Sequence, residues 1–277
     1  MRGSLNLTFA INGSRQTRLT KRTHEPPLQV IRDFAQPDGA ALVHLHNTSG
    51  GILGGDHLSL SVDVGPDAQA QLTTTSATRL YRSDITATQI TEVVVGEGGL
   101  LEYLPDPVIP FAGSRYRQET RIALAPDAGL FWWETLTPGR AARGELFAYD
   151  CLELNLDLTA GNRPVAVERV RLEPAQHLLS SPARFGPYRF LTTFYVCHVG
   201  LSPAQWRALE EQLSQEADAR SRPGEILWGV STLPAHGLSI RGLSTTGREL
   251  STGLLAFWCA AKRELYGREA ILPRKVY

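Results

Sequence analysis

Cysteine is scarce in this chain of 277 residues. Cys151, Cys197 and Cys259 are an odd number, widely separated, and no Cys-x-x-Cys pair occurs. That pattern supports neither a disulfide framework nor a structural zinc knot, and it fits a reducing compartment. An excess of either charge is also lacking, with 28 basic residues against 28 acidic ones. General nucleic-acid binding needs a basic surplus and is not expected. Long apolar runs are missing too: the longest, Leu254–Ala261, has eight residues, whereas a membrane-spanning helix needs about 20. The opening Met1-Arg2-Gly3-Ser4-Leu5 leads into polar residues without an apolar signal segment, so a cytoplasmic protein without a membrane partner is expected. Finally, there is no Gly-x-Ser-x-Gly elbow, no His-Glu-x-x-His, no Gly-x-Gly-x-x-Gly and no Cys–His pair defined by spacing, so the familiar enzyme signatures are absent.

What is present reads as an ordinary globular chain, 42% apolar and 20% charged, long enough for a large core. The stretch 1–190 reads mostly as strands. Val43–His46, Leu58–Val64, Ala68–Thr74, Thr86–Val95, Leu100–Tyr103, Tyr116–Leu124, Leu130–Thr135, Leu146–Leu158 and Val165–Leu172 are rich in Val, Ile, Thr, Leu and aromatics. Gly, Pro, Asp or Asn separates most of them. Leu58–Val64 and Leu152–Leu158 alternate apolar and polar residues strictly, so each has a buried and a wetter face. This pattern predicts a mostly β fold, an antiparallel stack resembling a β-helix or a sandwich, although no internal sequence repeat is visible.

The stretch 191–277 changes character and predicts a small α/β layer of order β-α-β-β-α at the C-terminal end of the same single domain. Leu191–Val199 reads as a strand. Ser202 is an N-cap, Pro203 takes the first helical position and Gln205 completes a capping box. Trp206, Leu209 and Leu213 share one face of that helix, which ends near 220–224. Ile226–Ser231 and Gly237–Leu243 read as a strand pair, and a second helix over Glu249–Tyr266 stops at Gly267.

Several segments could carry chemistry. Gly50-Gly51-Ile52-Leu53-Gly54-Gly55-Asp56 has the glycines of a tight connection but lacks the Lys-Ser/Thr and following helix of a phosphate loop. Asp56 is favoured as a turn acceptor, with a hard-ion contact as the alternative. His44 and His46 lie at i and i+2 with His57 nearby, a weak signal for a borderline metal. Thr73–Ser83 is a hydroxyl-rich run containing Thr74 and closing on Tyr81 and Arg82. Glu102 and Pro105 end a strand, and Glu102 is either a buried or a surface acid. Gly139-Arg140 and Gly144-Glu145 bracket a turn. Glu134 follows two tryptophans, and Glu168 is either paired with a neighbouring cation or exposed.

Taken in order, these segments, with Leu272-Pro273-Arg274 near the end, resemble the urease accessory protein UreD family, called UreH in some lineages. The likeness runs from about residue 28 to the C-terminus. It implies a non-enzymatic maturation factor that holds apo-urease, binds UreF and through it the GTPase UreG, and passes Ni²⁺ through an internal water-filled tunnel without keeping any permanent cofactor. The tunnel acids it implies are Asp56, Glu134 and Glu168. Glu134 stands where an Asp is common, Thr48-Ser49 where proline is, Arg79 where lysine is, and Lys275-Val276-Tyr277 where an Ile-Trp ending is. A wet path with spaced carboxylates lowers the cost of a bare cation and still releases it, and a tight His/Cys cage would trap it. Two rival readings stand beside this one: a β-sandwich hydrolase using two acids among Asp56, Glu102, Glu134 and Glu168, and an interaction module without a metal role.

Overall fold

The computed structural model describes residues 1–273. The strands are β1 (Arg2–Ile11), β2 (Thr17–Glu25), β3 (Leu28–Gln29), β4 (Asp33–Ala35), β5 (Ala41–Asn47), β6 (His57–Val64), β7 (Gln69–Thr74), β8 (Thr78–Leu80) and β9 (Ala87–Val95). They continue as β10 (Leu100–Tyr103), β11 (Val108–Pro110), β12 (Arg115–Leu124), β13 (Gly129–Leu136), β14 (Cys151–Ala160), β15 (Arg163–Leu172) and β16 (Phe190–His198). Helix α1 (Pro203–Arg220), β17 (Ile226–Thr232), β18 (Gly237–Ser244) and α2 (Gly247–Tyr266) complete the order. The mostly β chain with two helices among the described residues is the expected class.

Two sheets form. One runs β15-β14-β12-β9-β6-β1-β2 and the other β17-β18-β16-β13-β10-β7-β5-β3, with the short β4, β8 and β11 attached to the second. From β5 to β14 the longer strands alternate between the sheets, so the chain winds and returns in the same direction at each rung. The ladders β1·β6, β6·β9, β9·β12 and β12·β14 are therefore parallel, as are β5·β7, β7·β10 and β10·β13. The expected antiparallel pairing holds only at the margins, in β1·β2, β3·β5, β4·β5, β14·β15 and β13·β16·β18·β17. A period of two marks faces and carries no information on strand direction. Leu100 sits beside Gln69 and Gly129 beside Leu100, so successive rungs follow at nearly equal intervals along the chain.

The alternating apolar residues fill the space between the sheets: Leu5, Leu7, Phe9, Leu60, Val62, Val93, Ile122 and Leu158 face Val43, Leu72, Leu101, Leu130 and Trp132. The opposite face of the second sheet, with Phe131, Trp133, Phe194 and Val196, is covered by α1 and α2. Helix α1 begins as its sequence requires, with the Ser202–Gln205 capping box and Pro203 at its first turn. Its buried stripe is Trp206, Leu209, Leu213 and Ala217. Helix α2 starts two residues before the expected Glu249 and ends at Gly267 in the left-handed conformation. Strand β16 bonds to β13, so the C-terminal layer continues the second sheet.

Strands β1 and β2 are not anticipated by the sequence reading. Leu5, Leu7 and Phe9 of β1 do point inward, but Ser4, Asn6 and Thr8 between them have the composition of a loop. Strand β2 is a charged edge, largely exposed, which is how natural sheets discourage further pairing. Among the described residues no helix is long and apolar enough to cross a membrane.

Candidate functional site

Most of the singled-out segments meet along one side of the stack, in the connections that lead from the second sheet to the first. Ile52 bridges Leu80, with its N–H donating to the Arg79 carbonyl at 2.7 Å and its carbonyl accepting from the Tyr81 N–H at 2.9 Å. That contact brings two backbones too close for side chains. A Cβ on Gly51 would lie 2.6 Å from the Arg79 carbonyl oxygen and from the Tyr81 ring, and one on Gly54 would lie 1.8 Å from Ser83 Oγ. Gly50 and Gly55 supply positive φ angles. The Tyr81 ring meets Phe111 edge-on at 5.0 Å, and the Arg140 guanidinium lies over the Phe111 ring, 4.1 Å from its centroid. Arg140 pairs with Glu145, which also accepts from the Ala112 N–H. Arg82 lies along Gly113. Gly139 lets the chain pass the Glu145 and Pro110 carbonyls, and Gly144 ends a 3₁₀ turn in the left-handed region. These residues build one continuous cap over the strand ends on that side. Thr74 and Pro105 fix the next turn: the Thr74 hydroxyl donates to Asp106 at 3.1 Å, and the Pro105 carbonyl accepts from Trp133 Nε1 at 3.0 Å.

Asp56 belongs to that cap. It is buried, one carboxylate oxygen accepting from the Met1 amino group at 3.0 Å and the other from the Leu53 N–H at 2.9 Å. It is the turn acceptor that its position after the glycines favours, with an ion pair to the chain terminus added. It does not share a cavity with the other two candidate acids.

Glu134 and Glu168 do come together. Trp133 points to the helices, so Glu134, one residue on, points between the sheets. Glu168 reaches the same cavity from β15. The cavity has a volume of about 50 Å³ and is lined also by Gln118, Asn155 and Thr193, which is room for a few waters. Glu134 accepts from Gln118 Nε2 at 2.6 Å. Burial, with the Glu168 charge adding to it against the Gln118 hydrogen bond, pushes the Glu134 carboxyl up to about 7. Glu168 accepts from the Tyr195 hydroxyl at 2.8 Å and from Arg241 at 3.0 Å. It is thus paired with a cation, but with Arg241 across the fold and not with its neighbour Arg169, which bonds Asp157.

A second inter-sheet cavity, of about 80 Å³, is lined by His46, Gly50, Gly51, Thr74–Thr78, Gln89 and Tyr103. Gln89 is the ladder partner of Gln118, so the walls of the two cavities meet at adjacent strands.

Glu102 resolves as a buried acid. It faces α2, accepting from Lys262 Nζ at 2.9 Å, Gln71 Nε2 at 2.8 Å and Trp258 Nε1 at 3.2 Å. Burial raises its pKa against the opposing pull of Lys262. Gln118, Tyr195, Arg241 and Lys262 escaped the sequence reading. Two had a signal: Gln118 occupies the inward register of Tyr116 and Ile122, and Lys262 follows Trp258 by one helical turn. Among the described residues no three His, Cys, Asp or Glu side chains are grouped to hold a metal. Leu272 and Pro273 are described; Arg274 and the Lys275-Val276-Tyr277 ending lie outside the described residues.

The family described as UreD urease accessory protein matches residues 1–277, so the likeness includes β1 and β2 and extends beyond the expected start near residue 28. Among similar proteins, the urease accessory protein UreD of Herpetosiphon aurantiacus is 51% identical over 279 residues, covering 100% of this chain and 97% of that one. The UreD of Sorangium cellulosum is 36% identical, covering 92% and 80%, and that of Dechloromonas aromatica 35%, covering 98% and 92%. A two-sheet β stack with a helical layer and this motif-built cap is therefore an accessory protein of urease maturation. The chain belongs to the UreD family.

Proposed function

We propose that this chain is a non-catalytic cytoplasmic scaffold that binds apo-urease and UreF, and UreG through UreF, and that Ni²⁺ crosses its β stack on the way to urease. The observation that supports this most is the pair Glu134 and Glu168 in one water-sized cavity between the sheets. Their environment suits transit. Glu134 has a neutral amide as its donor, not a cation, so its charge is available to a passing metal. Its raised pKa lets a proton compete with the metal near neutrality, which weakens binding and favours release. Asp56 and Glu102 have both carboxylate oxygens occupied by protein donors. These features disfavour a carboxylate hydrolase. Asp56 enters this reading as the anchor of the cap and not as a lining group.

The test is co-expression of Glu134→Ala and Glu168→Ala chains with urease, UreF and UreG. The complexes should still be recovered by affinity capture of the chain, while the nickel content of purified urease, measured by elemental analysis, falls several-fold. Normal nickel content in the double variant would remove the conduit and leave an interaction module.

A further inference from the structure

The alternation of β13 sends Trp133 to the helices and Trp132 between the sheets. Strands β10 and β13 are parallel neighbours, and their register sets Tyr103 beside Trp132. The two rings stack, with centroids 4.0 Å apart and planes inclined by 20°. Tyr103 borders the inter-sheet cavity of about 80 Å³. The Trp132 indole lies beside Glu134, which lines the cavity of about 50 Å³. The opposite wall divides at the same place: Gln89 lines the first cavity, and its ladder partner Gln118 lines the second. The two cavities have no lining residue in common. The stacked rings therefore stand at the partition between them.

Three aromatic rings gather there, and they are held unequally. Tyr116 is buried, and its hydroxyl donates to Gln118 Oε1 at 3.3 Å. Trp132 is buried in the inter-sheet core. Tyr103 is only partly buried, its hydroxyl makes no hydrogen bond among the described residues, and it alone of the three borders a cavity. Its ring has Trp132 against it and open space beside it, so it is the ring that can swing. Burial, with the Glu134 charge adding to it, pushes the Tyr103 and Tyr116 hydroxyls up, and both stay neutral at physiological pH. A neutral aromatic constriction holds back water and ions while closed, and it has no charged ligand to trap a cation when open.

We propose that Tyr103 is a gate between the two inter-sheet cavities, closed when its ring stacks on Trp132 and opened when the ring swings into the larger cavity. That the gate passes a hydrated divalent cation rests on the conduit reading; that it passes water does not.

The experiment follows solvent exchange of the indole N–H groups in the full-length chain labelled with ¹⁵N-tryptophan. Trp132 Nε1 is buried without a hydrogen bond, and so are Trp206 Nε1 and Trp228 Nε1, which lie in the helix-covered core on the opposite face of the second sheet. Those two are the controls. In the unmodified chain Trp132 should exchange at least tenfold faster than either, and low urea should not change its rate, because the gate opens within the folded protein. Tyr103→Ala should accelerate Trp132 at least tenfold more and leave Trp206 and Trp228 unchanged. Exchange of Trp132 only through global unfolding of the unmodified chain, or an unchanged Trp132 rate in Tyr103→Ala, overturns the gate. Tyr103→Trp, with a bulkier ring, should slow Trp132 exchange several-fold and lower the nickel content of co-expressed urease several-fold. Slowed exchange with normal nickel content would remove the conduit and leave a gate for water, so the two readings fail separately.

Discussion

The second sheet carries one inward acid on each of its faces, and the two are treated in opposite ways. Glu102, on the helix side of β10, receives an ammonium, an amide and an indole N–H, and its cation Lys262 is only 2% exposed. Glu134, on the inter-sheet side of β13, receives the neutral Gln118 amide, has the Trp132 indole beside it, and faces a cavity without a cation of its own. A buried charge whose partners are all supplied by the protein is committed to holding α2 against the sheet. A carboxylate left with spare lone pairs in such a place is costly for the fold, and costs of that kind gather at functional sites. Glu168 stands between them, with a hydroxyl and an arginine as donors.

The largest effect should come from breaking the locked acid. Lys262→Met leaves the Glu102 carboxylate buried without its cation, at a cost of about 3–5 kcal/mol, measured as a lowered urea midpoint. Burial already raises the Glu102 pKa, so in this variant the acid takes up a proton on folding. The loss should shrink as pH is lowered from 8 to 5. Glu102→Gln placed in the same chain keeps an acceptor for Gln71 and Trp258 and should recover most of the stability. If Lys262→Met is as stable as the parent, the contrast between the two acids fails.

Glu134 sharpens the contrast through pH. Its folded pKa of about 7 lies above the ordinary 4.5, so between these values the folded state holds a proton that the unfolded chain has released. Stability is then highest below about 4.5 and falls as pH rises through 7, because the unfolded chain binds fewer protons. Allowing for its partial exposure, the loss is about 2 kcal/mol. Glu134→Gln should abolish that part of the pH dependence and be more stable than the parent at pH 8, compared by urea denaturation at pH 5 and 8. An identical pH profile in parent and variant would place Glu134 with Glu102 as a structural acid.

Much of this is legible in the residues alone, and the misses have physical causes. The longer strands from β5 to β18, the Ser202 cap and the Gly267 stop follow from local periodicity and turn chemistry, whereas the three-residue β8 and β11 are not expected from them. The winding of the chain does not, since the rungs repeat in backbone and not in side chains. The cap is visible as separate motifs, but Gly54 needs its missing side chain because Ser83 lies against it, a contact between segments far apart in sequence. Glu134 and Glu168 follow from the family likeness, while their donors Gln118, Tyr195 and Arg241 come from three different strands. Asp56 follows from the same likeness, and there the local turn reading describes its surroundings better.

The smallest effect belongs to the intermediate acid. Tyr195 is 4% exposed, and its hydroxyl donates to Glu168 Oε2, while Arg241 occupies Oε1. Tyr195→Phe removes that donor and keeps the ring, which packs in the inter-sheet core. The freed oxygen borders a cavity large enough for water, and a water can take the place of the hydroxyl. The net cost should therefore be about 1 kcal/mol, a small shift of the urea midpoint. The same substitution leaves Glu168 with a lone pair open to the cavity, which moves it toward the condition of Glu134. Nickel content of urease matured with Tyr195→Phe should then be at least that obtained with the parent chain. A loss of nickel as large as that from Glu168→Ala would show that Glu168 works through its hydrogen bond to Tyr195 and not through a free carboxylate oxygen.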